Sequence, residues 1–263
     1  MQTGLSLGIL CFVRYAVHLI LVVSLALPSR GRRLLRTRHL SGQLLRGVVM
    51  LGATLMFFTT LTRLPLAEAT SINFLAPLIV LAISPWLLGE PRHVSRWVAA
   101  GVAFGGMLIV VRPGSGLDPI GVLFGLGTAM CFALQFIATR RVAGDDPLTT
   151  LVWSGLVGTV LLTLSLPVTL PPMLDLLGSL TVWQWLVLIS TGVSGALGHL
   201  FQIQAFRRAP ASLLAPFMYL QIVSATTMGW LVWGHFPDEI TWLGIAVICI
   251  SGATIAMVEW RRR

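Results

Sequence analysis

The sequence predicts an all-α integral membrane protein, on three observations. Of its 263 residues, 56% are hydrophobic and 10% are charged, whereas about a quarter of a soluble domain is charged. Apolar runs long enough to cross a hydrocarbon core of ~30 Å follow one another along the chain. Five arginines crowd the stretch from Arg30 to Arg38, between the first two runs. Short arginine-rich loops stay in the cytoplasm, so this block also predicts an orientation.

Nine membrane-spanning segments are predicted, with ends accurate to a few residues. The first is not predicted to be a cleaved signal peptide, because it lacks a basic N-terminal region, its apolar stretch is too long, and the arginine block follows it. In chain order the segments cover residues 4–27, 47–62, 67–88, 97–111, 119–138, 148–167, 184–206, 211–235 and 240–258.

The distribution of arginine over the loops predicts the topology of the whole chain. Only Arg63 and Arg112 fall in predicted outer loops, whereas fifteen arginines fall on the other side. Lys and Arg accumulate in cytoplasmic loops, so we expect an outer N-terminus and a cytoplasmic C-terminus in a bacterial inner membrane. The fifteen are Arg30, Arg32, Arg33, Arg36, Arg38, Arg46, Arg92, Arg96, Arg140, Arg141, Arg207, Arg208, Arg261, Arg262 and Arg263.

An offset of 145 residues aligns the two halves of the chain. It places Arg63-Leu-Pro65 on Arg208-Ala-Pro210, Gly89 on Gly234 and Trp97 on Trp242. In both halves the Arg-x-Pro sequence leads into a segment, a glycine turn and a segment that opens with tryptophan. Because the first sequence is predicted outside and its match inside, the pattern is that of an inverted-topology duplication. We predict a first repeat over 1–115 with four segments and a second over 116–263 with five, so one helix is missing at the N-terminus.

These segments resemble a known family of membrane proteins. The run from Arg63 to Pro77, the Leu88-Gly-Glu90 turn, Trp97 and the run from Gly105 to Gly114 resemble the first repeat of the EamA family in the drug/metabolite transporter superfamily. The run from Gln204 to Tyr219 resembles its second repeat. The resemblance covers nearly the whole chain and implies a five-plus-five bundle that transports small organic metabolites.

Two departures from the family pattern stand out. The first helix of the usual ten is absent, which we attribute to a late start codon or to a truncation. In the second repeat His235 stands where a glutamate equivalent to Glu90 is usual, so that turn is not expected to act symmetrically. Glu90 itself is expected to cap a helix or to form an ion pair in a cytoplasmic turn.

An ionisable residue inside the first segment marks a candidate binding site. Cys11, Arg14 and His18 share one helix face at i, i+3 and i+7, and a charge inside a bilayer usually has a function. The planar guanidinium of Arg14 suits a substrate carboxylate or phosphate. The alternatives are an Arg14 bonded to neighbouring carbonyls and a His18 that is a hydrogen-bonded core residue.

A second polar stripe lies on the seventh segment, where Gly192, Gly195, His199 and Gln202 follow a spacing of three to four residues. Small residues let helices approach closely. His199 is a candidate for substrate binding or for proton transfer, because imidazole changes charge near neutral pH. The alternative is a hydrogen bond between helices.

Three further segments carry polar residues near prolines or threonines. Asn73 lies on the third segment, Gln135 on the fifth, and Tyr219 and Gln221 on the eighth. Each alone suits helix packing, but together they predict a polar cavity between the halves, where transporters bind substrate. The substrate-binding candidates are therefore Arg14, His18, Asn73, Gln135, His199, Gln202, Tyr219 and Gln221.

A proton-coupled transporter needs a titrating group, and the candidates are His199 and Glu68. Glu68 is expected at the outer end of its helix beside Arg63, which favours His199.

We therefore predict a transporter of small organic metabolites that works by alternating access, with export favoured over import of compounds such as riboflavin or S-adenosylmethionine. Its expected partners are the substrate and the bilayer, and association with a second copy stays open. Nucleic acid is not expected, because the arginines lie in short turns facing lipid headgroups. The sequence shows no HExxH motif, no paired carboxylates within the membrane and no catalytic triad, so we expect no enzyme, cofactor or metal; a non-transporting membrane partner is the other alternative.

Overall fold

A computed structural model describes residues 7–64, 66–111, 117–164, 178, 180–234 and 238–261. Every regular element in these ranges is helical, which confirms the predicted all-α fold. Two short 3-10 turns, Gly31–Leu35 and Ala215–Tyr219, join the helices. The α-helices are α1 (Leu7–Arg30), α2 (Leu40–Leu61), α3 (Leu66–Asn73), α4 (Ala76–Leu88), α5 (Val94–Val111), α6 (Pro119–Arg141), α7 (Pro147–Thr163), α8 (Val182–Arg208), α9 (Ala211–Leu214), α10 (Leu220–Trp233) and α11 (Glu239–Arg261).

Four helices in the described part are long and apolar enough to cross a membrane: α1 with its 3-10 extension, α2, α6 and α8. Shorter apolar helices cover Ala76–Leu88, Val94–Val110, Pro147–Thr163, Ala211–Ser224 and Glu239–Ile255. Large apolar side chains, among them Leu123, Phe201 and Ile250, are exposed, as expected where lipid is the solvent.

The third and eighth predicted segments are not continuous helices. Residues Phe74 and Leu75 separate α3 from α4, and the 3-10 turn Ala215–Tyr219 separates α9 from α10. A proline follows shortly after the first break and lies in the second, Pro77 and Pro216. Proline has no N–H to donate to the preceding turn, so carbonyls at both breaks are free to accept other bonds.

Two helices begin earlier than the apolar runs predict. α2 starts at Leu40 rather than 47, and α5 starts at Val94 rather than 97. Arg46 and Arg96 therefore lie inside helices, with exposed fractions of 0% and 5%. Their assignment to cytoplasmic loops was wrong, because a polar partner inside the fold lets a helix continue through a charged residue.

The helices form two compact units. Unit 1 consists of residues 1–58 and 138–208, and unit 2 of residues 59–137 and 209–263. Unit 1 thus contains the whole of α1, α7 and α8 and most of α2. Unit 2 contains the whole of α3, α4, α5, α9, α10 and α11 and most of α6. Each unit combines helices from both predicted repeats.

Glycines bring the helices of unit 1 into close contact. A Cβ added at Gly47 on α2 would lie 2.6 Å from Val157 on α7, and one added at Gly192 on α8 would lie 2.6 Å from Val17 on α1. α7 also meets α1 at Gly158, where an added Cβ would overlap the ring of Tyr15. Small residues at these crossings allow the backbones to approach.

In unit 2, α5 packs along α11 through small residues. A Cβ added at Gly106 would lie 3.0 Å from the carbonyl oxygen of Gly244, and one added at Gly244 would lie 2.7 Å from that of Gly106. The hydroxyl of Ser251 donates to the carbonyl of Ala99 at 2.7 Å.

Two matched glycines end α4 and α10. Gly89 and Gly234 adopt positive φ angles of 65° and 73°, a left-handed conformation that glycine favours. Their separation is the offset that aligns the predicted repeats. The matched caps support the repeats, which remain a prediction.

Candidate functional site

Unit 1 brings the polar face of α1 against the polar stripe of α8. A Cβ added at Gly195 would lie 3.4 Å from both Nε and Nη2 of Arg14, which is van der Waals distance, so this guanidinium lies directly against α8. The ring centroids of His18 and His199 are 6.2 Å apart. Nδ1 of His199 lies 3.4 Å from Oε1 of Gln202. The four candidates that the sequence assigned to these two helices are therefore neighbours.

The contacts of His18 and Arg14 differ. Nε2 of His18 lies 3.3 Å from the carbonyl oxygen of Leu151 on α7, and the residue is buried. This contact is the one expected of a hydrogen-bonded core histidine, and the role of His18 in substrate binding stays a prediction. Arg14 is half-buried, and its guanidinium forms no hydrogen bond or ion pair within the described ranges.

Arg46 is a third basic residue in unit 1, which the sequence did not indicate as a candidate. Its Nε donates to the hydroxyl of Thr139 at 2.8 Å, and its Nη1 donates to the hydroxyl of Ser154. Nη2 is buried and has no hydrogen-bond partner among the residues that the structure describes. The available signal was Gln43 and Arg46 at i and i+3, a polar helix face that begins before the apolar run.

A carboxylate close to the start of α2 joins two loops of unit 1. Asp145 accepts hydrogen bonds from the side chains of Gln43, at 3.0 Å, and Thr37, and from the backbone N–H of Arg38 at 3.1 Å. Burial acts to raise the pKa of Asp145, but these hydrogen bonds outweigh it and hold the pKa below its usual value. Gln43 also donates to the hydroxyl of Thr150 at 3.0 Å.

Unit 2 holds the other candidates. The hydroxyl of Tyr219 donates to the carbonyl of Phe74 at 3.0 Å, and its ring packs against Phe74 with centroids 5.8 Å apart. Asn73 is half-buried, and its Oδ1 has no hydrogen-bond partner in the described part of the chain. Gln135 is fully buried, whereas Gln221 is exposed.

Glu90 was expected to cap a helix or to form an ion pair, and it caps a helix of unit 2 that is distant in sequence. Its carboxylate accepts from the backbone N–H groups of Ala211 and Ser212 at 2.7 and 2.9 Å, and from the hydroxyl of Ser212 at 2.5 Å. That hydroxyl accepts in turn from Nη1 of Arg96 at 2.6 Å. The carboxylate thus balances the buried charge of Arg96 and fixes the start of α9.

Some candidates lie outside the description. Glu68 belongs to α3, but its side chain is not described, and neither is His235. Among the described residues there is no group of three His, Cys, Asp or Glu side chains placed to hold a metal ion.

Comparison with protein families decides the class of this helical bundle. The model of the EamA-like transporter family matches residues 1–112 and 119–257. The chain belongs to this family. The family predicted from the Arg-x-Pro and glycine-turn segments is therefore confirmed.

Relatives of this EamA-like chain are named as transporters. It is 28% identical to the riboflavin transporter of Vibrio cholerae over an alignment of 269 residues. That alignment covers 99% of this chain and 86% of the relative. It is 29% identical to the pseudopaline exporter CntI of Pseudomonas aeruginosa, over 79% of this chain and 73% of that one. It is 27% identical to the S-adenosylmethionine uptake transporter of Rickettsia felis, over 83% and 72%.

A solved crystal structure has the same fold as this EamA-like chain. The two superpose with a TM-score of 0.80 at 20% sequence identity, covering 97% of this chain and 91% of the other. At this identity the likeness extends to the fold alone.

Proposed function

We propose that this protein moves small organic metabolites across the bacterial inner membrane by alternating access, and that it is not an enzyme. The family match over both halves of the chain carries the proposal. The related riboflavin, S-adenosylmethionine and pseudopaline transporters act on chemically different molecules, which supports the broad class of substrate.

Export is the direction we propose, with uptake as the alternative. The related exporter and uptake transporter are 29% and 27% identical to this chain, so similarity alone does not favour either. Efflux from preloaded cells and uptake into energised cells, measured for the same labelled metabolite, separate the two directions.

The proposed substrate-binding residues lie in both units. In unit 1 they are Arg14, His18, His199 and Gln202, where the contact of α1 with α8 supports the proposal. In unit 2 they are Asn73, Tyr219 and Gln221, at or beside the two helix interruptions, and Gln135 on the continuous helix α6. Interrupted helices provide backbone groups for substrate in other transporters.

Flux in proteoliposomes tests the function directly. A panel of amino acids, nucleotide-like compounds and vitamins is offered to the purified protein, and a saturable flux of one class is the expected result. Arg14→Gln should reduce flux of a carboxylated substrate and narrow the preference for that substrate over its amide. Arg32→Gln, in the exposed 3-10 turn, serves as the control. A folded protein that transports nothing would favour the non-transporting partner.

We propose that the N-terminus is outside and the C-terminus cytoplasmic. Arg46 and Arg96 are buried within helices and are left out of the count of loop charges. Thirteen arginines then remain on the proposed cytoplasmic side, still far more than the two outside. A C-terminal fluorescent fusion should glow, and an alkaline phosphatase fusion at the same position should be inactive. The opposite pair of results would reverse the topology.

A further inference from the structure

Within the described residues, unit 1 holds more buried positive charge than carboxylates balance. Asp145 and Asp146 are the carboxylates that the structure describes in this unit. Asp145 accepts from Thr37, Arg38 and Gln43, and Asp146 pairs with the exposed Arg30. Neither contacts Arg46.

One edge of the Arg46 guanidinium has no acceptor among the described residues. Thr139 and Ser154 accept from Nε and Nη1, and both are neutral hydroxyl groups. Nη2 is buried without a hydrogen-bond partner among the described residues. A buried donor with no acceptor is unfavourable, and a buried charge with no counter-charge is more so.

Arg14 adds a second positive charge to the same interior. Arg46 donates to Ser154 on α7, one turn from Leu151, whose carbonyl oxygen lies 3.3 Å from Nε2 of His18. The ring of His18 lies 6.2 Å from that of His199, and Arg14 lies against Gly195, one turn before His199 on α8. The four side chains therefore form one cluster. Arg14 also has no hydrogen-bond or ion-pair partner within the described ranges. The cluster of Arg14, His18, Arg46 and His199 is therefore rich in donors and lacks an acceptor with negative charge.

Arg96 in unit 2 shows how the fold treats a buried arginine with a structural role. It too is buried and donates to a serine hydroxyl, but the hydroxyl of Ser212 passes a hydrogen bond on to the carboxylate of Glu90. The hydroxyl of Ser154 donates instead to the carbonyl of Thr150, which carries no charge. The two arginines have similar burial and different charge balance.

We propose that Arg46, with Arg14, binds an anionic group inside unit 1, and that this group is a carboxylate or phosphate of the transported molecule. Nη2 of Arg46 supplies the free donor, and the guanidinium plane suits the two oxygens of either group. The identity of the anion as part of the substrate rests on the proposed function, whereas the anion site itself does not.

Anion binding to the purified full-length protein tests the site without transport. The unfolding temperature is followed by tryptophan fluorescence in detergent, while acetate or inorganic phosphate replaces chloride at constant ionic strength. Acetamide, the neutral analogue of acetate, is the ligand control. A saturable rise in unfolding temperature with acetate alone assigns a carboxylate, and one with phosphate alone assigns a phosphoryl group. No saturable response to either anion would overturn the proposal.

Variants locate the site. Arg46→Lys keeps the charge but loses the planar fork, and Arg46→Gln loses both, so we expect each to weaken anion binding about tenfold or more. Arg96→Gln, in a matched buried site, should leave the apparent dissociation constant unchanged. If Arg46→Gln does not fold, Arg46→Lys and Ser154→Ala decide the question, since Ser154→Ala should keep anion binding. Equal affinity in wild type and Arg46→Lys would overturn the assignment to this residue.

Flux measured on the same preparations separates the two proposals. Binding that depends on Arg46 without flux of any compound would contradict the proposed function and leave the anion site standing. Flux of a neutral compound that Arg46→Lys does not alter, with no anion binding, would leave transport standing and overturn the site.

Discussion

The hydroxyl of Tyr219 donates a hydrogen bond of 3.0 Å to the backbone carbonyl of Phe74, and the two residues are 145 positions apart. That separation is also the one between Gly89 and Gly234, which end α4 and α10. The hydrogen bond therefore joins equivalent positions of the two predicted repeats, at the points where their helices are interrupted.

Replacing Tyr219 by Phe should destabilise unit 2. The change leaves the buried carbonyl of Phe74 without this donor, which we expect to lower the free energy of unfolding by about 1–3 kcal/mol. Tyr15→Phe is the matched control, because its hydroxyl lies 3.3 Å from that of Thr54, which itself donates to Met50. The comparison is made by unfolding in detergent, and equal losses in the two variants would contradict the importance of the Phe74 bond.

The crossing of α1 and α7 should not tolerate a larger residue at Gly158. An added methyl group would overlap the ring of Tyr15, so Gly158→Ala should reduce stability by about 1–3 kcal/mol. At Gly198 on α8 no atom lies within 4 Å of an added Cβ in the described structure. Gly198→Ala should therefore be neutral or stabilising by up to ~1 kcal/mol. A thermal unfolding series of both variants checks this ordering.

Glu90→Gln should loosen the start of α9. The amide group of glutamine would face the N–H donors of Ala211 and Ser212 and would remove the charge that balances Arg96. We expect a loss of about 1–3 kcal/mol, seen as a lower unfolding temperature. Glu239→Gln, at an exposed position in the first turn of α11, should change it little. A reversed order would show that the Glu90 contacts contribute little.

Asp145 should make stability depend on acid pH. Hydrogen bonds hold the folded-state pKa of Asp145 below the ordinary value of 3.8. The ionised carboxylate therefore contributes fully to folding stability above pH 3.8, and this contribution is lost as the pH falls through the lower, folded-state pKa. Asp145→Asn should lower the unfolding temperature at neutral pH. Below pH 3.8 the difference in unfolding temperature between this variant and wild type should become smaller. Glu239→Gln, at an exposed position in the first turn of α11, is the control. A difference that does not vary with pH would contradict a role for the charge.

Proton coupling, if the transporter has it, should depend on His199. The reference pKa of a free imidazole lies near neutral pH and that of a carboxylate at ~4.3, so the reference values favour a histidine over Glu68. His199 lies beside His18 and Gln202 inside unit 1. In proteoliposomes a pH gradient should drive wild-type flux. His199→Gln should keep downhill exchange and lose that drive, while Glu68→Gln should keep both. Loss of the drive in Glu68→Gln alone would reverse the assignment.

The polar faces of α1 and α8 could be predicted because they depend on local spacing. Arg14 and His18, like Gly195 and His199, follow the helical period within a single segment, and the structure packs these two faces together. Each polar face can be recognised from the sequence of its own helix, without knowledge of the fold that packs the two faces together.

By itself the sequence determined the all-α class, the bilayer as solvent and the family, because apolar content, loop charge and turn residues are local properties. The tertiary structure decided that Arg46 lies inside a helix, because its acceptors Thr139 and Ser154 are 93 and 108 residues away. It also decided where α9 begins, because Glu90 is 121 residues from Ala211. Whether a charged residue ends a helix or is buried within it depends on such distant partners, and no local pattern contains them.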